Sequence, residues 1–145
     1  MIRNIPSRRD FLLATGVATS SILLPRQVMA SLGKIKKPIK LGMIADLHQD
    51  VMHDGPARLQ VFLDAMKEEK PDALIQLGDF AYPTKKNEIV TKAFAKAHPR
   101  TLHVLGNHEI DGGHSFEEVA KLWGMKGRYY TENINGLDLV VLDAN

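Results

Sequence analysis

Three short apolar runs, each breaking off at a turn or polar residue, do most to limit the folds open to this chain. They are Leu41-Gly42-Met43-Ile44-Ala45, ending at Asp46; Ala73-Leu74-Ile75-Gln76-Leu77, ending at Gly78-Asp79; and Thr101-Leu102-His103-Val104-Leu105, ending at Gly106-Asn107-His108-Glu109. Short apolar runs bounded by turn residues read as buried strands. Helical stripes separate them. Leu59, Phe62, Leu63 and Met66 fall at i, i+3, i+4 and i+7 on one helix face, after a polar loop from Leu47 to Pro56. Pro71-Asp72 ends that helix. Ile89, Val90, Ala93, Phe94 and Ala97 form a second stripe, closed by Pro99. His98, at its end, is expected to be exposed; His103, inside the third run, is expected to point into packing. This alternation predicts an α/β fold whose first three strands are parallel neighbours.

The pattern changes after the third run. Ser115 to Glu118 has the form of a capping box, in which the serine hydroxyl accepts from the amide of Glu118 and its carboxylate reaches back. Val119, Leu122 and Trp123 continue that short helix. Tyr129 to Asn133 and Leu137 to Leu142 predict two strands joined by a turn at Asn135-Gly136.

The first thirty residues read as an address. Ser7-Arg8-Arg9-Asp10-Phe11-Leu12 leads into an apolar stretch from Phe11 to Leu24, followed by Pro25, Arg26 and Val28-Met29-Ala30. A charged region, an apolar region and small residues before a cut are the parts of a signal peptide. The apolar stretch is too short and too polar to span a bilayer, which needs about 20 residues. The paired arginines resemble a twin-arginine (Tat) export signal. Export through the Tat machinery to the periplasm or the extracellular space is therefore expected. Residues 31–38 read as a linker, and the folded domain is expected over residues 39–145.

Composition narrows the chemistry. The chain has 145 residues, room for one modest domain. It has no cysteine, which excludes a disulfide framework, a thiolate zinc site and a thiol nucleophile. Any metal must be held by oxygen and imidazole. The formal charge of +2 comes from the first thirty residues, which carry Arg3, Arg8, Arg9 and Arg26 against Asp10. Taking those from 19 basic and 17 acidic residues leaves 15 and 16. No basic surplus remains to drive binding to nucleic-acid phosphates.

Polar residues gather just after all three apolar runs: Asp46 and His48, then Asp79, then Asn107 and His108. In open α/β sheets the carboxyl edge is where ligands bind. Asp46 and His48, two apart on an extended segment, can face one point. Asp79 can sit between two cations, and Asn107 can offer a neutral carbonyl oxygen to the second. Two divalent ions roughly 3.5–4 Å apart polarise a phosphoryl group and generate hydroxide from water at neutral pH. Mixed oxygen and imidazole ligation suits manganese, iron or zinc.

Asp46-Leu47-His48, Gly78-Asp79 and Gly106-Asn107-His108-Glu109 together resemble the first three signature blocks of the calcineurin-like metallophosphoesterases. The resemblance runs from about Ile39 to Asn145. It implies the N-terminal half of an α/β/β/α sandwich, with a mostly parallel sheet and a hairpin at its C-terminal end. It implies hydrolysis of a phosphomonoester or phosphodiester by hydroxide held between two divalent metals. Asp46 and His48 would bind the first metal, Asp79 would bridge, and Asn107 would bind the second. His108 would face the substrate phosphate and protonate the leaving oxygen, with Glu109 supporting it from behind. His53 and His114 lie in loops near the expected site and are candidates for a substrate or metal contact.

The resemblance also implies two further histidine blocks that complete both metals, and these do not occur in the 145 residues. The expectation is therefore a part of a longer enzyme. The alternatives are a non-catalytic remnant, or a half-domain completed by a partner chain or by self-association through an uncovered sheet. A nucleotide-binding Rossmann module fits poorly, because Asp-Leu-His rather than a glycine-rich loop follows the first run. A serine hydrolase fits poorly too, because there is no Gly-x-Ser-x-Gly elbow.

Overall fold

The computed structural model describes residues 37–143; the expected export segment and most of the linker lie outside them. The three apolar runs form strands β1 (Leu41–Ile44), β2 (Ala73–Gln76) and β3 (Thr101–His103). They make a parallel sheet in the order β1-β2-β3, with Leu41 opposite Ala73 and Ile75 opposite Leu102. Each strand is one or two residues shorter than its apolar run, because the polar edge begins to bend the backbone before the apolar residues end.

Helix α1 (Gly55–Glu69) joins β1 to β2, and α2 (Glu88–Ala97) joins β2 to β3. Helix α1 starts at the edge of the expected polar loop, with Pro56 in its first turn, where the missing amide costs nothing. It buries Leu59 and Leu63, as its stripe predicts. Three details of the loop and stripe readings need correcting. Leu47, expected in a polar loop, is 1% exposed and belongs to the main core. Ile89 is 62% exposed, because Val90 and Phe94 define the inward face of α2 and Ile89 lies about 100° away from Val90. His98 is half-buried rather than exposed, its Nδ1 lying 3.0 Å from the amide of Arg100 and 2.9 Å from the carbonyl oxygen.

Beyond β3 comes a short helix the sequence reading does not contain, α3 (His108–Asp111). Helix α4 (Phe116–Trp123) follows, and its Ser115–Glu118 capping box is complete in both directions. Val119 and Trp123 are buried, while Leu122 is exposed. Strands β4 (Tyr130–Ile134) and β5 (Leu137–Val141) form a separate antiparallel hairpin turning at Asn135-Gly136, both with positive φ. Such a turn matches strand twist.

The sheet has a core on each face. On the helix side, Leu47, Leu59, Leu63, Leu74, Phe80, Val90, Phe94 and Trp123 pack together. His103 lies on that side, edge-on to Phe94 and Trp123 at 5.6 and 4.8 Å between ring centroids. Burial lowers its pKa to about 4. On the other face Ala73, Ile75 and Leu102 pack against Ile134 of the hairpin. The Tyr130 hydroxyl accepts from the His103 amide at 3.1 Å and donates to the His103 carbonyl at 2.6 Å. The hairpin thus covers part of the face expected to stand open. Met43 of β1 is 51% exposed, and Val140 and Leu142 also face solvent. Among the described residues no helix is long and apolar enough to cross a membrane.

Candidate metal centre

The parallel pairing continues past the strand ends, and this brings the polar residues together. Leu77 donates its amide to Ile44, and Val104 donates to Gln76. One step further, Asp46 donates to the Gly78 carbonyl at 3.2 Å, His48 to that of Asp79 at 2.9 Å, and Gln49 to that of Phe80 at 3.1 Å. The loop after β1 therefore runs beside the loop after β2, in register, with Asp46 and His48 flanking Asp79.

The side chains converge there. His48 Nε2 lies 3.7 Å from Asp46 Oδ1 and 3.6 Å from Asp79 Oδ2. One donor atom from each of the three residues lies within 4.8 Å of the others. These separations exceed hydrogen-bond length, so the donors surround a common point without bonding one another. All three residues hold left-handed backbone, with φ of 55° at Asp46, 47° at His48 and 53° at Asp79. Non-glycine residues held in that region cost roughly 1 kcal/mol or more each, and such strain collects at functional sites. Two carboxylates and an imidazole converging in this way fit a divalent cation.

The third loop joins through backbone and buried acid. Asp79 Oδ1 accepts the His108 amide at 2.9 Å, leaving Oδ2 toward His48. Glu109 is 0% exposed and accepts from the amides of Asp79 at 3.1 Å, Phe80 at 2.6 Å and Gly106 at 3.0 Å. Burial pushes its carboxyl above the ordinary range, against those amide bonds, which pull it down. Glu109, expected to support His108 from behind, ties the second loop to the third through these three amides. Gly78 and Gly106 touch where the loops cross. A Cβ on Gly78 would lie 2.7 Å from the Gly106 nitrogen, and one on Gly106 would lie 2.2 Å from Asp79 Oδ1. Only glycine fits either position.

Asn107 is exposed at the start of α3, and its amide nitrogen donates to Asp111 at 2.9 Å, a bond that does not use its carbonyl oxygen. His108 is buried, edge-on to His48 with ring centroids 4.7 Å apart. His53 is exposed, and no described contact joins it to this cluster. His114 lies one ring further out: it tilts against Tyr82 at 5.8 Å, and Tyr82 stacks on His108 at 4.4 Å.

Three residues here escape the sequence reading. Tyr82 walls His108. Gln76, also buried, accepts from the Gly78 amide and donates to the Val104 carbonyl, linking two loops. Asp50 accepts from the Tyr82 amide at 2.6 Å and the Asn87 side chain at 2.7 Å. Its signal was present in the two-residue step Asp46, His48, Asp50.

A family model for calcineurin-like phosphoesterases matches residues 39–145, and the chain belongs to that family. Among solved structures it is similar to a dimetal phosphatase from Danio rerio, at 19% identity and a TM-score of 0.55 over 73% of this chain. At that identity the likeness is one of fold. The chain spans 44% of that structure's length. No curated protein matches the chain.

Proposed function

We propose that the chain supplies the carboxyl-edge half of an exported, dinuclear metallophosphoesterase acting on a phosphomonoester or phosphodiester. The observation that carries this reading is the convergence of Asp46, His48 and Asp79 on one point at the ends of β1 and β2. In this proposal Asp46 and His48 would hold one cation, Asp79 would serve both, and the Asn107 carbonyl would serve the second. Manganese, iron or zinc, once bound, would neutralise phosphoryl oxygens and lower the pKa of water. His108 carries a proton to the leaving oxygen, a role within the usual reach of a positioned imidazole. Glu109 holds the second and third loops in register, so that Asp79 and His108 keep their spacing.

Two cations need more donors than the three imidazole and carboxylate groups gathered here. In this proposal the remaining ligands would be supplied by further sequence of a longer enzyme, or by a partner chain seated on the exposed residues Met43, Val140 and Leu142. The Arg8-Arg9 pair and the apolar stretch after it support Tat export to the periplasm or beyond. Arg8→Lys with Arg9→Lys should retain the protein in the cytoplasm, and fractionation with unchanged export would sink that part.

The central test uses the complete gene product, with p-nitrophenyl phosphate and bis-p-nitrophenyl phosphate as substrates and metal content measured alongside. Asp79→Asn should lower turnover about a thousandfold, a barrier change of roughly 4 kcal/mol. Retained turnover at matched metal content would refute the bridging role. Wild-type protein that binds metal but hydrolyses neither ester would point to the non-catalytic remnant instead.

A further inference from the structure

The loop after β1 carries a third acidic residue that the proposed metal site does not use. Asp50 follows Asp46 and His48 at the same step, yet its side chain is 4% exposed where that of Asp46 is 70%. Four groups face its carboxylate. Oδ1 accepts from Asn87 Nδ2 at 2.7 Å and lies 3.3 Å from Lys86 Nζ. Oδ2 accepts from the Tyr82 amide at 2.6 Å and lies 3.8 Å from His108 Nε2. That ring nitrogen is itself buried without a hydrogen-bond partner. The ring is confined on two sides, stacked on Tyr82 at 21° and edge-on to His48 at 71°. A buried N–H left without an acceptor costs roughly 1–3 kcal/mol. The carboxylate oxygen facing it stands about an ångström beyond bonding distance, and catalytic hydrogen bonds are often long until substrate binds.

We infer that Asp50 is a positioning residue for His108. It accepts the Nε2 proton, fixes the ring in the Nε2–H tautomer, and leaves Nδ1 to exchange a proton with the substrate. The inference rests on reading His108 as the proton carrier. Lys86 and Asn87 hold Asp50 in place from the far side, so the loop after β2 aims the imidazole through a residue of the loop after β1. A purely structural Asp50 would tie these loops together and leave the tautomer of His108 unaffected.

The first test needs no metal and no turnover. The neutral ring of His108, observed by nitrogen NMR at about pH 9, well above the ordinary imidazole range, should be protonated at Nε2. Protonation at Nδ1 in the wild-type chain overturns the inference, and this spectrum decides even if Asp50→Asn does not fold. In a folded Asp50→Asn chain the preference should weaken; an unchanged tautomer also overturns it. The second test uses the complete gene product. Asp50→Asn should lower kcat about tenfold or more with KM little changed, and the loss should vanish in a His108→Ala background. An equal loss in both backgrounds marks a structural role and overturns the inference. Should the wild-type protein hydrolyse no phosphate ester, the hydrolytic proposal fails, while the tautomer still decides the role of Asp50.

Discussion

The carboxyl edge of the sheet is built in two ways. At the ends of β1 and β2, Asp46, His48 and Asp79 sit in left-handed backbone, locked by amide-to-carbonyl bonds between adjacent loops. At the end of β3, Asn107 takes ordinary helical backbone, with φ of −70° and ψ of −30°, and α3 begins at His108. Here the fixing is done by side chains: the Glu109 carboxylate on three amides, and Asp79 on the His108 amide. The first half spends backbone strain to aim its donors. The second half uses a relaxed backbone and a buried acid. Strained backbone has to be held by its surroundings, here by the carbonyls of the adjacent loop, whereas the relaxed helix start is held by side chains.

The sharpest way to break this comparison is to remove the pin. Glu109→Ala leaves three amides without their acceptor, and should cost about 4 kcal/mol, read from chemical denaturation. A loss under about 1 kcal/mol would mean that the third loop holds itself. Acid should separate the halves next. His103 lies at the end of β3, with its pKa depressed to about 4 by burial. A depressed value means that the unfolded chain takes up a proton first, so stability present above about pH 6.5 is lost as pH falls toward 4. The loss should reach about 3 kcal/mol, and hydrogen exchange should quicken around Leu105 and Gly106 before it does at His48 and Gln49. His103→Phe should flatten the pH dependence. The smallest effect carries the clearest sign. Asp46→Gly relieves left-handed strain and should stabilise the metal-free chain by about 0.5 kcal/mol, while weakening metal uptake. Asn107→Gly, in helical backbone, should destabilise it by a similar amount. Matching signs in thermal melts would erase the distinction between the halves.

The parallel sheet and its helices were legible because apolar runs and stripes are local patterns. Leu41 to Ile44, Leu59 and Leu63, and the Ser115–Glu118 box each declare their state within a few residues. The convergence of Asp46, His48 and Asp79 was legible at one remove, since parallel neighbours place their carboxyl ends side by side. What stayed hidden depends on distant partners. Asp50 is buried because Tyr82 and Asn87, 32 and 37 residues away, supply its donors. Gln76 reads as a strand residue until Val104 and Gly78 are seen beside it. Glu109 was visible as a motif residue, but two of its three partners, the amides of Asp79 and Phe80, lie on the loop after β2, and no local pattern names them. Ile89 was misassigned because an apolar residue beside a stripe looks like part of it.

Tyr130 fills, with one hydroxyl, the donor and acceptor places that a neighbouring strand residue would occupy along β3 at His103. That arrangement has a consequence for the order of events during synthesis. Tyr130 lies 27 residues downstream of His103. At roughly 5–20 residues per second the ribosome delivers it about one to five seconds after β3 has emerged. During that interval the backbone of His103 is an open socket on a hydrophobic strand, able to accept a strand from another nascent chain. The closing hydroxyl arrives late, and until it does that socket stays open to a competing strand.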